Sequence, residues 1–199
     1  MIGGKLKDNL LYRGATPINN VYNRALTVNE LIEKDGIKFV IDLSDSEEDF
    51  INNMNEELTD SYINKLYENN KILFLGIGAD YSTKDYGQKV VQAFISIINE
   101  EGPIYIHCTE GKDRTGFVCL LLEALAGFSE EEILNDYMKT YDNYYGINPS
   151  TNLKLTFSQQ SITKLKKKKL KKMKLLKKLK KKKLKKMKKK TNLVKMINL

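Results

Sequence analysis

The sequence predicts an α/β fold in which helices flank a central, mostly parallel sheet. Three observations lead there. Short aliphatic runs suited to buried strands alternate with longer segments of helical periodicity. The runs at 37–43, 72–77 and 103–107 are apolar almost throughout, as strands covered on both faces should be. None approaches the roughly 18–20 apolar residues that a membrane span requires.

Residues 1–16 read as irregular, with a short apolar piece at Leu10-Leu11-Tyr12, and Arg13-Gly14-Ala15-Thr16-Pro17 reads as a strand end and turn. Thr27-Val28-Asn29-Glu30 has capping-box spacing and is expected to open a short helix through Lys34, stopped at Asp35-Gly36. Ile37–Leu43 is a buried strand. The acidic, Asn-rich residues 44–57 read as exposed, 58–69 as a helix and Lys71–Leu75 as a second strand. A loop at 76–86 leads into a helix from about Asp85 to Asn99, whose apolar positions 90, 91, 94, 95, 97 and 98 form one broad face. Gly102-Pro103 ends it, and Ile104–His107 is the third strand. After a loop at 108–114, residues 115–126 form a nearly all-apolar helix stopped at Gly127. Ser129-Glu130-Glu131-Glu132 is a second capping box, leading a helix to about Tyr141.

Charge divides the chain of 199 residues, whose net value is +9. Residues 164–199 hold 20 of the 34 Lys and Arg and none of the 25 Asp and Glu. The preceding residues therefore carry −11 and the tail +20, so the whole-chain value describes neither part. We expect a globular domain over 1–150 and a low-complexity tail over 151–199. In that tail Leu165–Lys174 recurs unchanged fourteen residues later, with Leu and Met mostly on one helical face. Three readings stay open: a basic amphipathic helix that contacts anionic membrane or nucleic acid, a helix-forming composition without a role, or a shifted reading frame after about residue 150.

No secretory signal is visible, and two cysteines make no disulfide framework, so a cytoplasmic, reduced location is expected. With one His and two Cys, no metal set and no cofactor are expected. Cys119, inside Phe117-Val118-Cys119-Leu120-Leu121, reads as a packed core thiol. Cys108 sits between a strand and a Gly-containing loop, where a reactive thiol belongs.

The block Ile104-Tyr105-Ile106-His107-Cys108-Thr109-Glu110-Gly111-Lys112-Asp113-Arg114-Thr115-Gly116 carries the chemistry. A Cys and an Arg six positions apart follow a strand and open a helix. The amides of Thr109, Glu110, Gly111, Lys112, Asp113 and Arg114 can then curl round a tetrahedral oxyanion at a helix N-terminus. Arg114 offers a planar fork matching two phosphoryl oxygens. The same groups favour a thiolate at Cys108, placed for in-line attack and a phosphocysteine intermediate. Thr115 can donate its hydroxyl to the departing sulfur. Lys112 adds a point charge at the rim, favouring polyanionic head groups, unless it is simply solvated; Glu110 opposes it.

The string His-Cys-x-x-Gly-Lys-x-Arg-Thr-Gly resembles the signature loop of the cysteine-dependent protein tyrosine and dual-specificity phosphatase superfamily, and especially its bacterial tyrosine-phosphatase-like members and the inositol-lipid phosphatases, whose loops also favour Lys and Asp beside the Arg. The resemblance extends over residues 10–147 and leaves out the tail. It implies a protein tyrosine phosphatase-like fold, Cys108 as nucleophile, Arg114 as phosphate binder, Thr115 as the assisting hydroxyl and His107 as a residue that orients the loop. It also implies a general acid, usually an Asp after Trp-Pro, some 25–35 residues before the Cys. That motif is absent here: the chain has no Trp, and its prolines are 17, 103 and 149. Asp80 is the first candidate acid, Asp85 the second and Asp113, inside the cradle, the third. Arg13 and the tyrosines 137, 141, 144 and 145 are candidates for neighbouring the site, the tyrosines also for plain packing. The leading expectation is hydrolysis of phosphorylated protein, phosphotyrosine above all. Phosphoinositide hydrolysis, a catalytically weak phosphate-binding module and a tail-directed membrane or nucleic-acid protein are the alternatives.

Overall fold

The computed structural model describes residues 8–19, 23–78 and 80–145. Four short strands are β1 (Leu11–Gly14), β2 (Phe39–Asp42), β3 (Ile72–Phe74) and β4 (Ile104–His107). They lie side by side in the order β1-β4-β2-β3, and every pair is parallel. The helices are α1 (Ala25–Lys34), α2 (Glu47–Asn53), α3 (Tyr62–Glu68), α4 (Lys84–Asn99), α5 (Asp113–Ala126) and α6 (Glu130–Tyr145). The α/β arrangement with a parallel sheet between helices is as the alternation of segments predicts.

The sheet is buried on both faces, which explains strands without polar alternation. Phe39, Ile41, Leu43, Ile104 and Ile106 meet Val90, Phe94, Val118 and Cys119 of α4 and α5. Val40 and Tyr105 point the other way, into a second core with Ile32, Phe50, Ile63 and Leu66 of α1, α2 and α3. Cys119 is the core thiol expected, and burial pushes it up to about 12.

Three readings of local sequence are corrected. Thr27 opens no helix: α1 begins two residues earlier, Thr27 is exposed, and Asn29 is buried. The Asn29 amide donates to the Pro17 and Ala25 carbonyls at 2.7 and 2.9 Å, and its oxygen accepts from Ile63 N–H at 2.9 Å, so it joins three segments. Residues 44–57 are not uniformly exposed. Ser46 and Asp49 form a reciprocal capping box that starts α2, and Phe50 is buried. That burial stabilises by about 2 kcal/mol and outweighs the polar surroundings. The last helix does start at the Ser129–Glu132 box but runs on to Tyr145, four residues past the expected end.

Among the described residues no helix is long and apolar enough to cross a membrane. The Lys-rich tail lies outside the described residues.

Candidate active site

Parallel strands put their C-terminal ends on one side of the sheet, and β4, in the middle, ends at His107. The loop 108–112 follows at once and α5 begins at Asp113. Cys108 is 3% exposed, at the foot of the loop. The curl depends on Gly111, whose φ is +72°. A side chain there would strike the Gly14 carbonyl carbon and oxygen and come within 2.9 Å of the Ala15 nitrogen. The end of β1 therefore serves as a backstop for the loop. Tyr105 fixes that backstop by donating its hydroxyl to the Ala15 carbonyl at 2.6 Å, and Thr16 N–H donates to the Thr109 carbonyl at 3.4 Å.

No side chain caps the first turn of α5. Among the described residues, the amides of Thr109, Glu110, Gly111, Asp113 and Arg114 have no acceptor. Such a run of unpaired N–H groups at a helix start attracts an anion through both hydrogen bonding and the helix dipole. Arg114 closes the arrangement from the side. Its guanidinium donates to Thr109 Oγ1 and to the Ile77 carbonyl, both at 3.0 Å, and so ties the loop to the segment after β3.

His107 is 1% exposed. Its carbonyl accepts from Leu43 N–H at 2.9 Å, and its Nε2 lies 3.8 Å from Asp42 Oδ2. Thr115 is fully buried beside the cradle, but its hydroxyl has no hydrogen-bond partner, so the expected bond to the Cys108 sulfur is not made in this state. Lys112 is no free point charge. Its Nζ lies 3.1 Å from Glu110 and 3.7 Å from Asp113, donates to the Tyr145 hydroxyl at 2.8 Å, and sits 5.2 Å above that ring. The bond to Tyr145 is the main cause of its raised pKa. The loop's own carboxylates thus offset the cation that would favour polyanionic head groups.

The three candidate acids differ in placement. Asp80 is exposed and accepts from Ser82 N–H at 2.8 Å and Ser82 Oγ at 2.6 Å. These bonds hold its carboxyl below the ordinary range, opposite to what a proton donor needs. Asp85 pairs with Lys89 at 3.0 Å, one turn along α4, whose cap is Thr83. Asp113 is the first residue of α5, half-exposed and next to Arg114.

Arg13 lies beside the loop, lining one pocket with Gly14, Glu110 and Gly111, while its guanidinium is engaged by α6. It pairs with Asp136 at 3.1 Å and donates to the Asp136 carbonyl and Thr140 Oγ1, both at 2.9 Å, anchoring α6 to β1. With Cys119 and Glu123 it lines a cavity of about 180 Å³. Tyr137, Tyr141 and Tyr145 stack along α6 with ring centroids 5.6 and 5.9 Å apart, and Tyr137 packs on α5 where Gly116 leaves room. The side chain of Tyr144 lies outside what is described.

Asp42 and Tyr81 beside the site, and Glu123 in the cavity with Arg13, escape a reading of the sequence. Tyr81 packs on Tyr86 and Phe117 at 5.0 and 5.1 Å, and its hydroxyl is within electrostatic reach of Asp113, Cys108, Arg114 and Tyr141. Burial is the main cause of its raised pKa. An aromatic beside Asp80 in the loop after β3 was the available signal. Among the described residues no group of three or more His, Cys, Asp or Glu is placed to hold a metal ion.

Residues 2–195 match the model of the Tyrosine phosphatase family. A segment of 63 residues is 30% identical to the triple specificity protein phosphatase PtpB of Mycobacterium tuberculosis, covering 32% of this chain and 23% of that protein. A segment of 38 residues is 47% identical to a tyrosine-protein phosphatase of Nostoc commune, covering 19% and 13%. The matched segments thus span less than a quarter of those relatives' length. Among solved structures, the catalytic core of the PP-IP phosphatase SIW14 from S. cerevisiae aligns with a TM-score of 0.48 at 18% identity, over 79% of this chain and 86% of that one.

Proposed function

The chain belongs to the tyrosine phosphatase family, and from that premise we propose that it hydrolyses phosphomonoesters through a phosphocysteine on Cys108. One observation carries the reading: a buried Cys108 at the foot of a loop in which the amides of Thr109, Glu110, Gly111, Asp113 and Arg114 lack acceptors, with the Arg114 guanidinium held at both ends. Phosphate seated there has its oxygens bound by the amides and the guanidinium, with phosphorus over the sulfur. The thiolate attacks, an S–P bond forms, and the ester P–O bond breaks as the leaving oxygen takes a proton. Water then attacks phosphorus, gives its proton to the acid's carboxylate, and the S–P bond breaks to return the thiolate. The Thr115 hydroxyl, buried and without a partner, is available to that sulfur as it leaves.

For the acid we propose Asp113, the one candidate inside the cradle and next to Arg114; the Lys112 cation lies 3.7 Å from it, whereas Asp80 accepts two hydrogen bonds from Ser82 and Asp85 pairs with Lys89 at 3.0 Å. The substrate class we propose is phosphotyrosine in protein. Tyr81 near Asp113 and Cys108 supports it by offering an aryl ring a flat wall, and the pairing of Lys112 with Glu110 weakens the phosphoinositide alternative.

Turnover of an aryl phosphate by the full chain tests the chemistry, beside Cys108→Ser, Asp113→Asn and Asp80→Asn. Cys108→Ser is expected to be inactive, and equal rates for it and the parent refute the reading. Asp113→Asn should lose about 10²–10⁴ in kcat, with Asp80→Asn near the parent; the reverse order returns the acid to Asp80. Phosphotyrosine, phosphothreonine and phosphoinositide substrates compared side by side test the class.

A further inference from the structure

The pair Asp42–His107 lies beneath the cradle and has no part in the steps above. We propose that Asp42 is a positioning residue: it sets the protonation and orientation of the His107 imidazole, and through it the reactivity of Cys108. The effect on Cys108 rests on the nucleophile assignment; the state of the imidazole does not.

Both side chains are at most 1% exposed, and the two residues are paired in register at the ends of β2 and β4. A carboxylate placed there needs partners. Oδ1 has three: Ser44 N–H at 2.8 Å, Ser44 Oγ at 2.9 Å and Asp45 N–H at 3.0 Å. They fix the plane of the group. Oδ2 is buried with no hydrogen-bond partner and points to His107 Nε2, 3.8 Å away. That separation exceeds a hydrogen bond and is well within Coulombic reach in a dry site. A carboxylate oxygen so placed favours a proton on Nε2. Nδ1, buried and also without a partner, is the ring's other pole. A second proton there makes an imidazolium adjacent in sequence to Cys108, and a positive neighbour favours the thiolate.

The surrounding groups fit this polarity. Tyr105 packs its ring 5.5 Å from the imidazole and adds no charge. Asp45 is half-buried beside the pair, with Asp49 beyond it, and its carboxyl is raised by burial first and then by the charge of Asp42. Arg24 acts electrostatically on Tyr105 from the residue before α1, and Cys108 follows His107 in the chain.

The chain contains one histidine, so isotope-labelled histidine gives one set of imidazole nitrogen signals. Paired with it, the pH profile of Cys108 alkylation by iodoacetamide reads the thiolate without requiring turnover. In the parent the proton is expected on Nε2. In Asp42→Asn the carboxamide donates to Nε2, the proton moves to Nδ1, and the alkylation profile moves to higher pH. The rate near neutrality then drops about tenfold, and the two rates converge in alkali. Should Asp42→Asn not fold, Ser44→Ala removes one donor from Oδ1 and should move both readouts part of the way. A parent with its proton on Nδ1 alone overturns the assignment, as does a folded Asp42→Asn whose nitrogen signals and alkylation profile equal the parent's. Normal alkylation without any phosphatase turnover counts against the proposed function and leaves this assignment standing.

Discussion

Replacing Glu123 by Gln should remove a pH dependence of stability that the parent carries. Glu123 extends from α5 towards Asp136 of α6 and Arg13 of β1, and one of its oxygens is buried with no partner. Its pKa rises from 4.5 to about 8, mainly by burial and then by the hydrogen bond and charge of Asp136. Taken whole, that shift is worth about 5 kcal/mol at 1.36 per unit. The carboxyl is only half-buried, so solvent screening brings the figure nearer ~2 kcal/mol. The folded value lies above the unfolded one, and the group is an acid. Its protonated form is therefore the one the fold favours. The stability is fully present below about pH 4.5 and is lost as pH climbs through about 8. Urea denaturation of parent and Glu123→Gln at about pH 5 and about pH 9 measures the difference. The parent should lose ~2 kcal/mol more than the variant between those points. Equal losses would refute a Glu123 carboxyl that the fold holds protonated between α5 and α6.

Three further outcomes follow from the geometry. Gly111→Ala forces a side chain into the Gly14 carbonyl at a left-handed backbone position; it should cost about 1 kcal/mol for the backbone alone and weaken inhibition by inorganic phosphate, and undiminished phosphate inhibition contradicts the backstop. Arg114→Lys cannot reach both Thr109 Oγ1 and the Ile77 carbonyl with a planar fork; kcat on an aryl phosphate should fall about 10²–10³-fold, and retention of most of the rate argues against a two-ended clamp. Asn29→Leu leaves the Ile63 N–H and the Pro17 carbonyl unpaired in the core, at about 1–3 kcal/mol per group, which urea denaturation should show as a lower midpoint.

β2, β3 and β4 were legible because each packs side chains on both faces of the sheet and reads as a mainly apolar run. β1 was only half legible, since Arg13 and Gly14 interrupt its apolar character for reasons that lie elsewhere: Arg13 reaches α6, and Gly14 gives way to Tyr105 and Gly111. The cradle was legible because local spacing alone specifies it. Its supports were not. Asp42 ends a strand in a way no different from many solvated Asp residues, and only the register opposite His107 makes it a buried partner. Glu123 did carry a signal, as the single charge in the apolar run 117–126. The Thr27–Glu30 spacing misled because a capping box needs only two residue types, and burial of Asn29 placed the helix start elsewhere. The partners of Asp80 and Asp85, Ser82 and Lys89, are seen only in space.

The central position of β4 bears on synthesis. β2 and β3 can pair as soon as residue 74 has emerged, but β1 touches only β4. At about 5–20 residues per second, β1 waits roughly 5–20 seconds on the ribosome before residues 104–107 arrive to take their place between it and β2. The cradle follows directly on those residues, and its backstop is the waiting strand. The loop after β4 is therefore unable to take its place against Gly14 and Ala15 until residues up to 112 have been made, with most of α5 and all of α6 still to come.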